Sequence, residues 1–273
     1  MGLQGNIGFI GGGRMGEALI QGLLKSGIVT AERIVATDPD ADRRQLLADT
    51  YNINIYDSVN SAQVWADCET VILAVKPQVM ESVLQSFKQN INSSHLLISI
   101  AAGIQLSFID DILAGTGCRI IRVMPNTPAL VLEAASAVSK GPRATEKDME
   151  TAVSIFNSIG KTVVLDEKHI DAVTGLSGSG PAYVFTFIEA LIDAGLKVGL
   201  NRSDAETLVM QTVLGSVKLA MSSEEHPAQL RAMVTSPGGT TIAGLHELET
   251  AGFNGIIMDA VEAATNRSKE LGK

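Results

Sequence analysis

The sequence predicts an α/β fold: a parallel sheet covered on both faces by helices, followed by an all-α region. Three observations predict it. Over residues 1–165, short apolar runs without polar interruption alternate with amphipathic stretches, the signature of buried parallel strands joined by helices. Glycine is frequent, 26 of 273 residues, as tight strand–helix turns require. After Lys168 strand signals stop and long apolar helical stretches take over. We therefore divide the chain into 1–165 and 166–273.

The elements follow in order. Asn6–Gly11 reads as a buried strand, and Arg14–Gly27 carries apolar residues at helical spacing. Arg33–Asp38 is the next strand, and ADRRQLLADT after it a helix. Thr70–Val75 is a continuous apolar strand, and Pro77 suits the first turn of a helix, where a missing N–H costs nothing. His95–Gly103 and Cys118–Asn126 repeat the strand-then-turn pattern, and Lys161–Lys168 closes the first region. Gly180–Leu200 then reads as one long apolar helix. Ser203 with Glu206 fits a capping box ahead of a second one. Both helices are apolar on more than one face. A compact monomeric bundle is one way to hide that surface; burial against another subunit suits a region this small better.

Composition narrows the function. At 45% hydrophobic and 19% charged residues the chain reads as a globular protein, and no apolar run reaches the roughly 18 residues of a membrane span. A net charge of −9 leaves no overall field to attract a phosphate backbone, so we expect no nucleic-acid partner. Cys68 and Cys118 lack metal or redox spacing, and the four histidines are scattered; we expect a reduced, cytoplasmic protein without a metal site. The N-terminal stretch is a strand entering a glycine turn rather than a signal peptide.

Gly11, Gly13 and Gly16 form G-x-G-x-x-G between a strand and a helix, the context that gives this weak pattern meaning. The first glycine permits the turn, the second lets a pyrophosphate approach, and the third lets helix and sheet pack closely. This makes the first region a Rossmann-type dinucleotide-binding domain. Asp38, roughly 20 residues past Gly16, would accept from an adenosine 2′-OH and so argues for NAD(H). Arg43 and Arg44 would pair instead with the 2′-phosphate of NADP(H), or simply form a solvated helix face. The residues leave the choice open. Ligands of open parallel sheets collect at the strands' carboxyl ends. There the chain places Ala74–Gln78 with Lys76 and Pro77, small residues at Ser99–Gly103, and the stiff Met124–Ala129 loop around Asn126.

Val234–Leu245 interrupts the helical region without a single charge. It would serve as a turn between helices. It would equally serve as an anion site, with Gly238 and Gly239 letting a ligand approach and a helix beginning near Thr240 presenting unpaired N–H groups.

These stretches together (IGFIGGGRMGEAL, AVKPQ, SIAAGI, RVMPNTPA, GLSGSGPAYVF and VTSPGGTT) resemble the pyrroline-5-carboxylate reductase family from end to end. The resemblance implies reduction of 1-pyrroline-5-carboxylate to L-proline by NADP(H) or NAD(H), and an all-α dimerisation domain in a homo-oligomer with the dimer as its smallest unit. It implies cofactor contacts at Ile10, Gly11, Gly12, Gly13, Arg14 and Met15, at Asn60, at Ala74, Val75, Lys76 and Pro77, and at Ala101, Ala102 and Gly103. Gly16, Asp38 and Asn126 join them from the motif reading. The implied substrate loop is Ser236, Gly239, Thr240 and Thr241, to which the backbone argument adds Gly238. Arg14 and Gly16 stand where the family often has Asn and Ala; Gly16 fits the dinucleotide fingerprint the better of the two.

The substrate that the resemblance implies is a cyclic imine. Once protonated it is already a hydride acceptor, so orientation rather than a strong acid supplies the acceleration. Thr241 is the candidate for aligning the nitrogen, against the common use of Thr as a helix cap. The SPGGTT loop is expected to face the cofactor of another subunit. Two other readings predict different behaviour: a hydroxyacid dehydrogenase with Lys197 or His169 as base, and a nucleotide sensor without turnover.

Overall fold

The computed structural model describes residues 5–59 and 65–272; Asn60 lies outside them. The strands are β1 (Asn6–Ile10), β2 (Ile34–Thr37), β3 (Asn54–Tyr56), β4 (Cys68–Leu73), β5 (Leu96–Ser99), β6 (Arg119–Met124), β7 (Ala134–Lys140) and β8 (Gly160–Val164). Among the described residues they form one sheet in the order β3-β2-β1-β4-β5-β6-β7-β8. Strands β3 to β6 of that order run parallel, β7 pairs antiparallel with β6, and β8 runs parallel to β7. The sheet is thus mostly parallel, not wholly so as the sequence suggests. β7 escapes periodicity analysis because AASAVSK carries small side chains that leave little hydrophobic contrast.

Alternation along each strand feeds two cores. Ile7, Phe9, Ile72, Ile98 and Ile121 pack on one face with Leu19, Ile20 and Leu23 of the helix Arg14–Lys25 and with Ile155 and Phe156 of the helix Glu146–Asn157. Ile10, Val71, Leu73 and Leu97 pack on the other with Met80, Leu84 and Phe87 of the helix Met80–Phe87 and with Ile109. Two buried faces explain why these strands read as unbroken apolar runs. Pro77 opens a 3₁₀ turn, Pro77–Val79, ahead of that helix.

By compactness the chain divides between Ser179 and Gly180, and the segment from Ala263 onward belongs with the first unit; the expected division at 165/166 falls inside that unit. The second unit, Gly180–Glu262, is wholly helical in its regular structure: Gly180–Lys197, Arg202–Ser222, Pro227–Met233, Thr240–Thr250 and the beginning of Phe253–Leu271. The N-cap lies two residues before the expected Ser203, and it is a simple side-chain cap. Asn201, in an extended conformation, is the N-cap, and its side-chain oxygen accepts from Asp204 N at 2.9 Å. Ala205 is the one buried apolar residue among those described in this unit, while Phe185, Leu208, Met210, Leu214, Val217 and Met221 stand exposed. No described helix is long and apolar enough to cross a membrane.

At the antiparallel edge, Asp148 is the polar residue on which most depends. It is 4% exposed, accepts from Thr145 N and Oγ1 at 2.7 Å each in a capping box, and pairs with Arg119 at 2.8 Å. Asp148→Ala should remove the cap and leave Arg119 without its counter-ion. We expect a stability loss of roughly 2–3 kcal/mol in urea denaturation.

Candidate functional site

β1 lies between β2 and β4 at the point where the strand order reverses, and the glycine turn leaves its carboxyl end there. Gly11 has φ +99°, and a Cβ on it would stand 2.6 Å from Ala74 O. A Cβ on Gly16 would stand 2.6 Å from Gly11 O, so the helix rests directly on the turn. A Cβ on Gly13 would meet nothing within 4 Å. The three glycines therefore divide as the fingerprint requires: two are closed by protein and one faces open space. The helix Arg14–Lys25 has Gly13 as N-cap with no side-chain cap, and Glu17 N is the first amide to bond back into it, at 2.9 Å to Gly13 O. The amides of Arg14, Met15 and Gly16 have no intrahelical partner and suit a diphosphate.

The cradle is held by main-chain bonds from both neighbouring strands. Gly11 N donates to Thr37 O at 2.8 Å, and Ala74 N to Ile10 O at 2.8 Å. Ile10 is itself buried at 2% exposure, so any contact it makes is through its backbone. Asp38 does structural work as well: one carboxylate oxygen accepts from Gly12 N at 2.8 Å and the other from Asp40 N at 3.0 Å. Arg43 donates from Nε to Gly12 O and pairs with Glu17, while Arg44 Nη1 donates to Asp38 O at 2.9 Å and Pro39 O at 3.0 Å. Tyr51 completes the cluster, donating to Glu17 at 3.1 Å; burial first, then the Glu17 charge, raises its pKa.

The other strand ends line up on the same edge of the parallel strands. Ala74 and Val75 are half-buried beyond β4, Lys76 is exposed and Pro77 half-buried. Beyond β5, Ala101 and Gly103 are buried and Ala102 is exposed; Gly103 has φ +76° and packs on Leu271, which lies 3.6 Å from the place of a Cβ. Asn126, after β6, is 9% exposed. Its side-chain oxygen accepts from Ala135 N at 2.9 Å and its nitrogen donates to Ser177 O at 3.0 Å. That side chain ties the loop to the π-helical turn Thr174–Gly178, the heart of the GLSGSG motif. The geometry thus gives Asn126 a positioning task that the motif reading did not foresee.

Glu167 is a second residue that sequence reasoning missed. Its Oε1 accepts from Leu106 N at 2.7 Å and from Arg122 Nη1 at 2.9 Å, with Arg122 only 3% exposed. It fastens the segment after the Ala101–Gly103 turn to β6. No local signal marks it, because its partners lie 61 and 45 positions away. Cys68 and Cys118 are buried thiols, and burial pushes Cys68 up to about 11; neither is a poised nucleophile.

In the second unit, Ser236–Gly239 is a tight turn. Gly239 N donates to Ser236 O at 3.1 Å, Pro237 occupies the second position, and Gly238 has φ +67°, the requirements of a type II turn. Gly239 is then the N-cap of the helix Thr240–Thr250, without a side-chain cap; a Cβ on it would run into Ser236 Oγ. Thr240 is exposed and Thr241 half-buried in the first turn, so Thr241 is not the cap. The first-turn amides again lack intrahelical partners. Both glycine turns therefore end the same way, in a helix start whose uncapped amides suit an anion.

Comparison with known proteins agrees with this geometry. Residues 167–271 match the family model described as pyrroline-5-carboxylate reductase dimerisation, and residues 6–103 match that described as NADP oxidoreductase, coenzyme F420-dependent. The chain is 49% identical over 267 residues to a pyrroline-5-carboxylate reductase of Methanosarcina acetivorans, covering 98% of each. Its fold matches pyrroline carboxylate reductase of Plasmodium falciparum with NADP bound (TM-score 0.88, 37% identity, 100% of both chains). It also matches pyrroline-5-carboxylate reductase of Coxiella burnetii (TM-score 0.92, 35% identity, 99% and 100% of the chains).

The different surroundings of the glycines give opposite expectations for substitution. Gly11→Ala should cost roughly 2–3 kcal/mol of stability through backbone strain. Gly13→Val should leave the melting temperature unchanged while abolishing NADPH binding, followed by the nucleotide's own fluorescence.

Proposed function

The chain belongs to the pyrroline-5-carboxylate reductase family, and from that premise we propose how its residues carry out the reaction. It reduces 1-pyrroline-5-carboxylate to L-proline, the last step of proline biosynthesis, with NADP(H) as cofactor and as an oligomer. The observation that carries this is identity of 49% spread over 98% of both chains, with neither domain left unmatched.

The dinucleotide is held at the glycine turn. The amides of Arg14, Met15 and Gly16 take the diphosphate, with Gly13 leaving the space and Gly11 and Gly12 shaping the turn. Ala74–Pro77 and Ala101–Gly103 line the strand ends beside it, and Asn126 holds the π-helical turn. Asp38 acts through the turn it braces. Bound there, the reduced cofactor supplies a hydride to the carbon of the C=N bond, and the nitrogen keeps its proton.

The 236–241 loop takes the substrate. Amides at the start of the helix Thr240–Thr250 receive the carboxylate, Ser236 adds a hydroxyl, and Gly238 and Gly239 keep side chains out of the way. Thr241 aligns the ring nitrogen by a hydrogen bond. Because the imine reacts as an iminium, the protein's task is orientation, and a hydroxyl suffices. The hydroxyacid dehydrogenase reading requires a strong base. Lys197 ends its helix and His169 sits in a 3₁₀ turn, neither of them in the middle of the long helix where that reading would want its base. We place the enzyme in the cytoplasm, in keeping with two thiols that are buried and unlinked.

The smallest assembly is a dimer built on the exposed apolar faces of Gly180–Lys197 and Arg202–Ser222. Val217→Glu with Leu214→Glu should lower the mass measured by sedimentation and reduce activity together. A mass and activity equal to the parent's would exclude that face.

Steady-state assay with 1-pyrroline-5-carboxylate and NADPH tests the loop. Thr241→Ala should lower kcat roughly ten- to a hundredfold with the fold intact. Gly239→Val, which must open the Ser236 turn, should raise KM for the imine roughly tenfold. Unchanged constants in both variants would remove the loop from the reaction.

A further inference from the structure

A 2′-phosphate is a doubly charged group that must settle near Asp38, at the end of β2, and it needs a cation there. The arginines that follow in the sequence are already committed. Arg43 is bound to Gly12 O and Glu17, and Arg44 to the main-chain oxygens of Asp38 and Pro39. Releasing Arg43 would undo the bond that holds the glycine turn to the next helix, and releasing Arg44 would strip the main-chain oxygens of Asp38 and Pro39 of their donor. Asp38 adds negative charge at the same corner, with both oxygens on main-chain amides. The diphosphate, by contrast, is already served by the helix-start amides.

Arg14 differs from the other two. It is exposed at the first position of the helix Arg14–Lys25 and forms no ion pair with any described residue. It lies two positions beyond Gly12, the residue that Asp38 holds at 2.8 Å. We propose that Arg14 is the specificity-determining residue for NADP(H) over NAD(H), its guanidinium pairing with the 2′-phosphate and offsetting Asp38. A planar guanidinium presents parallel donors to phosphate oxygens, which an ammonium does not. The inference deepens the reading of the glycine turn as the dinucleotide site and rests on it.

The test is direct titration of the purified enzyme with NADPH and with NADH, without substrate, read by nucleotide fluorescence. Arg14→Gln should raise the Kd for NADPH roughly tenfold while the Kd for NADH stays within about twofold. Arg14→Lys should recover part of the loss. NADPH binding to Arg14→Gln should also depend less on salt than in the parent. The melting temperature should not move, since the side chain is exposed and unpaired. Equal weakening for both nucleotides would assign Arg14 to the diphosphate and overturn the proposal; unchanged affinity for both would overturn it too. Gly13→Val separates the two levels. If that variant binds both nucleotides normally, the glycine turn is not the site and the underlying reading fails. If it binds neither while Arg14→Gln behaves as the parent, the site stands and the role of Arg14 alone is lost.

Discussion

Between the end of β1 and the helix behind it, the backbone turns so tightly that no side chain fits at Gly11, because the neighbouring strand's Ala74 O closes the space. The rest of the first unit is arranged around that constraint. β2 supplies Thr37 O and the Asp38 carboxylate to the turn, β4 supplies Ala74, and Gly16 lets the helix settle directly onto it. What remains facing outward is bare main chain with unpaired amides. Donors fixed in this way need no reorganisation when an anion arrives, which is why a rigid turn outperforms mobile side chains in the same place.

How much of this was legible in the sequence depended on how local the cause was. The glycine turn, the strands before it and after it, and the start of the helix at Thr240 were readable because each rests on conformational demands of adjacent residues. β7 was not, since small side chains such as those of Ala134, Ala135 and Ser136 carry no clear period. The sequence does not separate a cap at Asn201 from one at Ser203, because both residue types cap well and only the backbone decides between them. Arg43 and Arg44 read as cations open to a phosphate or to solvent, yet Gly12 O holds the first and the main-chain oxygens of Asp38 and Pro39 hold the second. Glu167 and the positioning bonds of Asn126 are beyond reach of the sequence for one reason: the partners are remote in sequence, and nothing local records them.

The two units reach stability by different routes. The first owes it to two apolar clusters on opposite faces of one sheet. The second leaves most of its large apolar side chains at the surface of the single chain, with Ala205 alone buried among its described apolar residues. Helices exposing that much hydrocarbon call for completion by association, which would link folding and assembly by mass action in this part of the molecule.

The loop at Val234–Leu245 contains no ionisable side chain. Its donors are therefore the same at every acidity the fold survives, and high salt has no lysine or arginine there to screen. With the substrate's acid group placed here as proposed, any proton whose gain or loss alters the grip belongs to the metabolite, not to the loop. Sensitivity to acidity at this end of the reaction is thus a property the enzyme inherits from what it binds.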